Sequence, residues 1–333
     1  MRVPKKLLNE TAEAAREQFF GFMDAMRGEL ELVGTHTAAI RTADLGGKVA
    51  IVTGGGAGHE PMYGGYVGEG LADAVAVGDV FAAPTPDVIF EMVLALNPEN
   101  GVVFVYGNYA GDNMNFDIAA ELLEDEGIRC HTIRVNDDVI SAPVELAKER
   151  RGIAGALYVL KIAGAAAKQG YNFEQVVEVS EKALSRVASI GVAVGACALP
   201  RNKSFNFEIA DDEIEVGMGL HGEPGVGKTK ISTANEVVLE ICTSLNEALD
   251  LKSEEKVAVL VNNLGASTQM ELLVANHALT QYLDNIGVHI TDTLLGSYCT
   301  SLEMAGYSIS IFKLDQELEQ LYLAPCNSFA LRK

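Results

Sequence analysis

Short apolar runs alternate along the first half of the chain with longer stretches whose apolar positions recur every three or four residues. Leu8, Ala12, Ala15, Phe19, Phe20, Met23 and Met26 fall at helical spacing and predict one amphipathic helix within residues 8–32, followed by irregular chain. The period then changes. Val49 to Thr53 is an apolar run that empties into Gly54-Gly55-Gly56-Ala57-Gly58-His59. Val102 to Tyr106 is a second, emptying into Gly107-Asn108-Tyr109-Ala110-Gly111-Asp112. Runs of this length bounded by glycine predict buried strands that open into glycine loops. Helices are expected at about 87–97 and about 114–126, another strand at His131 to Val135, and two long helices at Ile153 to Gly170 and Phe173 to Ser189. Beyond them Gly191 to Ala198, Ser204 to Ala210 and Glu213 to Leu220 read as strands, and 231–248 as a helix. Lys256 to Val261 repeats the strand-and-glycine theme with Asn262-Asn263-Leu264-Gly265. Strands alternating with helices predict open α/β sheets with helices packed on them. Two such domains are expected, residues 1–188 and 189–333.

Length agrees, since 333 residues with 48% hydrophobic content can bury more than one core. The longest apolar stretch, Ile153 to Ala167, is interrupted by Lys161 and falls short of the roughly 20 residues of a membrane span, so no membrane association is expected. The N-terminus passes from Met-Arg-Val-Pro-Lys-Lys into an amphipathic stretch without an apolar signal core. Five scattered cysteines include no C-x-x-C pair, so neither a disulfide framework nor a zinc site is expected and a reduced cytoplasm is the expected location. A formal charge of −21 repels phosphate backbones and argues against a nucleic-acid partner; the absence of tryptophan leaves little to stack bases on.

In open α/β sheets ligands bind beyond the carboxyl ends of the strands. His59 and Asp112 each stand at the end of such a glycine segment, and together they form a reasonable acid/base pair, because a hydroxyl attacking phosphorus must lose its proton. Asp112 also reads as a cap of the helix expected from Met114, and both roles can hold together. His221 is followed by Gly-x-Pro-Gly, which holds it on a turn, either presenting its imidazole to a ligand or as an ordinary surface histidine. From Gly222 to Thr229 the chain also spells the phosphate-loop pattern G-x-x-x-x-G-K-T. Against that reading, the later strand ends in Asn262-Asn263 rather than an acid for magnesium, and Pro224 removes an N–H that would face phosphate.

Thr53 to Pro61, Gly65 to Gly70, Gly78 to Asp87, Asn108 to Asp112, Asn136 to Val139, Arg150 to Gly155, Lys161 to Gly164, Met218 to Gly225 and Thr300 to Gly306 occur in the order seen in the substrate-binding subunit of dihydroxyacetone kinases. Nearly the whole chain resembles that DhaK family. The resemblance implies that His221 adds through a ring nitrogen to the ketone carbon and holds the ketose as a covalent hemiaminal. It further implies that Asp112 and His59 move the proton of the hydroxyl receiving phosphate, and that Gly55 and Gly56 bring backbone to the ligand. It implies no cofactor on this chain: Mg-nucleotide, ATP or ADP, would sit on an all-helical DhaL-type partner, with a DhaM-type phosphocarrier in some systems, and the chain would form a homodimer. Two positions depart from the pattern, Gly107 where the family usually has Lys and Ala83 where it usually has Ser. The departures fit a roomier, less polar pocket for a C4 ketose such as erythrulose, or a paralogue that binds ligand without turnover as a co-activator.

Overall fold

The computed structural model describes residues 5–202 and 204–333, which form two compact units. The first unit takes Lys6–Val135 and Ala156–Ala183, with Leu318–Lys333 returning to it at the end of the chain. Its elements in chain order are α1 (Ala14–Ala25), β1 (Leu30–Leu32), β2 (Ala38–Arg41), β3 (Ala50–Ala57), β4 (Gly68–Glu69), β5 (Ala74–Val80), α2 (Pro86–Leu96), β6 (Val102–Gly107), α3 (Ala110–Asp125), β7 (Cys130–Val135), α4 (Ala156–Lys168) and α5 (Phe173–Leu184). Six strands make one sheet in the order β1-β2-β5-β3-β6-β7, parallel from β5 through β7 and antiparallel on the β1-β2 side. β3 lies inside this sheet and every one of its residues is buried, which is why it reads as a run rather than an alternation.

α4 shows how small residues set the packing. Its residues from Ala156 to Ala167 are all buried, and a Cβ at Gly164 would collide with the backbone of Leu71. Lys161 lies wholly buried in the same helix and donates from Nζ to the carbonyl of Leu321 at 2.7 Å. Burial holds its ammonium pKa down at about 8.

The second unit takes Asn136–Gly155 and Leu184–Glu317. It contains β8 (Val187–Gly195), β9 (Glu213–Val216), β10 (Gly227–Lys230), α6 (Ala234–Leu249), β11 (Lys256–Asn263), α7 (Gln269–Asn285), β12 (His289–Gly296) and β13 (Ala305–Leu314). The sheet order is β10-β9-β8-β13-β11-β12, with only β11 and β12 parallel. α6 and α7 open on full capping boxes, Thr233 with Glu236 and Thr268 with Glu271, each satisfying N–H groups the helix cannot. Past this unit, α8 (Gln316–Leu323) and β14 (Asn327–Ser328) lead back to the first, where β14 pairs with β4.

Two open α/β sheets with packed helices are thus present, but a single cut near residue 188 does not divide them. Residues 136–155 join the second unit because Ser189 of β8 bonds to their backbone, accepting from Val139 N at 3.2 Å and donating its own N–H to Asp137 O at 2.7 Å. Pairing across that distance in sequence leaves no periodic trace. Locally, three expectations change. Gly54 to Ala57 continue strand β3 rather than forming a loop, the helix expected to Ser189 ends at Leu184 before β8, and Ser204 to Ala210 form no strand.

Candidate functional site

β3 pairs in parallel with β5 on one side and β6 on the other. The chain leaves β3 for β5, then crosses through α2 to β6, so the carboxyl end of β3 is a switch point of the sheet, where crevices form. Gly55, Gly56 and His59 arrive there from β3, Ala83 from the turn after β5, and Gly107 and Asp112 from the end of β6 and the start of α3. The first unit therefore gathers six of the seven expected site residues. His221 belongs to the second.

The glycine run has a packing cause that composition alone does not show. A Cβ on Gly54 would press on Ala76 and the Phe116 ring; one on Gly55 would enter the Tyr63 ring. On Gly56 it would stand 2.7 Å from the amide nitrogen of Ala82, and on Gly58, at φ +98°, 2.8 Å from the Phe81 ring. Neighbouring protein occupies all four positions, so glycine is required before any ligand is considered. His59 is 2% exposed, stacks on Phe81 with centroids 4.9 Å apart and planes at 12°, and meets Tyr63 edge-on at 6.5 Å and 78°.

Asp112 is buried at the third residue of α3. The helix starts at Ala110 with Tyr109 as its N-cap, so Asp112 does not cap it; its carboxylate sits in the first turn, where the helix dipole favours negative charge. Gly111 beside it faces Ala83, whose Cβ would lie 3.6 Å from a side chain there, and Asn115 ties α3 to the same turn by donating to Pro84 O at 2.8 Å. Gly107 closes β6 opposite Val135.

In the second unit His221 stands on the turn after β9 and is fixed twice by one carboxylate. Its Nδ1 is 2.9 Å from Glu223 Oε1, and its backbone N–H donates to Glu223 Oε2 at 2.9 Å. Desolvation pushes the Glu223 pKa up, but the hydrogen bond and charge of His221 prevail and hold it down at about 2. An ionised Glu223 can only accept, so Nδ1 carries a hydrogen, and when the ring is neutral the lone pair lies on Nε2. Arg151 secures the turn from behind, donating to Gly217 O at 2.7 Å and from Nε to the buried Asp138 at 3.1 Å. Burial, only partly offset by Arg151, pushes the Asp138 carboxyl up to about 7. A Cβ on Gly219 would strike both Glu223 and Arg151. Sequence reasoning missed Glu223, Arg151, Asp138, Phe81 and Tyr63; of these Glu223 was within reach, because a histidine held on a turn needs a partner for its second nitrogen.

The phosphate-loop spelling does not fold as one. Gly227 to Lys230 form β10, an exposed strand antiparallel to β9, rather than a loop entering a helix. Lys228 donates to Glu208 O and Lys230 pairs with Asp212, so neither turns into a cradle. Among the described residues, no group of His, Cys, Asp and Glu is arranged to hold a metal ion, and no helix is long and apolar enough to cross a membrane.

The strand-end residues of the first unit and the carboxylate-held histidine of the second are the candidate groups, and likeness to known proteins gives the family. Residues 20–330 match the Dak1 domain, and the chain belongs to that family, one of kinases. It is 39% identical, over 97% of its own length and 98% of the other, to a PTS-dependent dihydroxyacetone kinase dihydroxyacetone-binding subunit, DhaK, of Listeria innocua. It is also 39% identical to an L-erythrulose kinase of Pectobacterium atrosepticum, over 98% of this chain but 56% of that longer protein. Among solved structures, a dihydroxyacetone kinase operon co-activator, DhaQ, superposes with a TM-score of 0.89 at 28% identity, covering 97% of this chain and 98% of the other.

Proposed function

We propose that this chain is the ketose-binding subunit of a multi-component dihydroxyacetone-type kinase. It holds a short ketose covalently at His221 while phosphate passes to the terminal hydroxyl from a nucleotide-bearing partner. The observation that carries this reading is the Glu223 carboxylate against His221 Nδ1, which in the neutral ring makes Nε2 the nucleophilic nitrogen. In the step, the Nε2 lone pair forms a bond to the ketone carbon, the carbonyl π pair moves to oxygen, and that oxygen takes a proton from solvent. The positive charge left on the ring is shared with Nδ1–H, which faces Glu223. Polyols offer no carbonyl, so this capture selects for ketoses by chemistry rather than size. Asp112 then accepts the proton of the hydroxyl that attacks phosphorus, with His59 as its partner in the transfer.

Mg-nucleotide belongs on a DhaL-type subunit in this reading, and the PTS-dependent name of the Listeria relative supports a DhaM-type carrier upstream. Homodimer formation and a cytoplasmic location are part of the same proposal. The deciding experiment is intact-protein mass spectrometry after incubation with dihydroxyacetone and borohydride-free quenching: a mass gain present in the wild type and absent in His221→Ala supports it. No gain in the wild type sinks it.

A second reading concerns the substrate. Ala83 and Gly107 place no polar side chain at the strand ends, and the Pectobacterium relative is named for a C4 ketose. Turnover of erythrulose above dihydroxyacetone supports a C4 kinase. Capture without turnover of either supports a ligand-sensing role like that named for the co-activator.

A further inference from the structure

We propose that Phe81 and Tyr63 are positioning residues that clamp the His59 imidazole, and that the glycines at 55, 56 and 58 serve to let that clamp close. The inference rests on the reading of His59 as a proton-transfer residue. Three independent observations converge on one ring. Both aromatic residues hold positive backbone φ, Phe81 at 60° and Tyr63 at 65°, conformations that bulky side chains adopt only when their surroundings impose them. Both rings meet His59, one flat on its face at 4.9 Å and the other edge-on at 6.5 Å. The glycines then yield the space these residues need: Cβ atoms at 55 and 58 would fall on the Tyr63 and Phe81 rings, and one at 56 would stand 3.1 Å from the Phe81 backbone. The turn itself is tied to β3 by Phe81 N donating to Ala57 O at 2.9 Å.

Histidine needs such help because its outer torsion is broad and roughly two-fold, so an unconfined imidazole swings its nitrogens through a wide arc. One ring flat on its face and one edge-on to it hold the imidazole in its plane and aim both nitrogens along it. Proton transfer requires heavy atoms about 2.6–3.2 Å apart, so aim is what the clamp supplies. Phe81 and Tyr63 need not touch substrate to do this.

The test uses the full chain carrying nitrogen-15 histidine. Phe81→Leu removes the ring but keeps apolar bulk; Phe81→Tyr keeps the ring. In the wild type and Phe81→Tyr, the His59 ring protons are expected upfield, shielded by the stacked face, as one sharp set. In Phe81→Leu the shielding disappears and the signals broaden while the other histidines keep theirs. Assayed with the nucleotide-bearing subunit, Phe81→Leu is expected to lose kcat by about tenfold to a hundredfold with KM unchanged, and Phe81→Tyr to recover it. Unchanged His59 signals in Phe81→Leu, or equal kcat loss in both variants, overturn the clamp. Should Phe81→Leu lose its unfolding transition, Tyr63→Leu is read by the same spectrum. Failure of the wild type to capture dihydroxyacetone at His221 counts against the ketose-binding reading alone, and the spectra still decide the clamp.

Discussion

The two candidate-site histidines, of six in the chain, are held in different ways. His59 of the first unit is buried between aromatic surfaces, with glycines clearing the space around it. His221 of the second unit keeps 24% of its side chain exposed and is held by a carboxylate gripping both its ring and its backbone. Packing fixes orientation without fixing charge, whereas an ionised partner fixes the tautomer and responds to acid. A residue that must aim a proton suits the first arrangement, and a residue that must present a lone pair suits the second.

That contrast can be broken, beginning with the largest effect. His221→Ala should abolish covalent capture of dihydroxyacetone altogether, while His59→Gln should leave the mass gain intact; loss in both would erase the division of labour. Asp112→Asn should reduce turnover on the order of 10²- to 10⁴-fold, the range of a lost acid–base group, with capture retained. Rapid-quench assays with the nucleotide subunit measure it, and lost capture would assign Asp112 to binding instead. Glu223→Gln should slow capture about tenfold or more, since a neutral amide no longer fixes the tautomer as an ionised acceptor does. The same pair makes a pH prediction. Because the folded Glu223 pKa lies at about 2, below its ordinary 4.5, its stabilising contribution is complete above 4.5 and is lost as pH falls through 2. Urea unfolding of wild type and Glu223→Gln should therefore converge on acidification through that window.

The smallest effect tests the packed unit. Lys161 is held near 8 against an ordinary 10.5, so keeping it charged in the folded state is a penalty present in full below 8 that vanishes above 10.5. Lys161→Met should raise the melting temperature slightly at neutral pH, and fall below the wild type at high pH, where the variant keeps only the unsatisfied Leu321 carbonyl. A variant less stable at every pH would show that the ammonium contributes more than burial removes.

The placement of the candidate residues was largely legible because glycine and histidine at strand ends are local signals. Val102 to Tyr106 became β6 almost as read, and Asp112 and His59 came out at adjacent strand ends. The role of the glycines was only half legible: close approach of backbone to a ligand was read, but the occupants of their missing side chains, Tyr63 and Phe81, come from later turns. Gly222 to Thr229 misled for a related reason. Its spelling is local, whereas the meaning of that spelling depends on whether a helix follows, and here β9 recruits Gly227 to Lys230 as a hairpin partner. Asp137 to Val139 likewise joined β8 through backbone bonds invisible to periodicity.

By itself, the order of residues determined the alternation of strands and helices, the two-sheet class, the family, and the candidacy of His59, Asp112 and His221. Only the tertiary structure decided which carboxylate sets the tautomer of His221, which rings confine His59, and where one unit ends and the other begins. The reason is range: period and glycine content act between neighbours in the chain, while tautomers, ring clamps and strand partners are fixed by groups that meet only after the chain has folded.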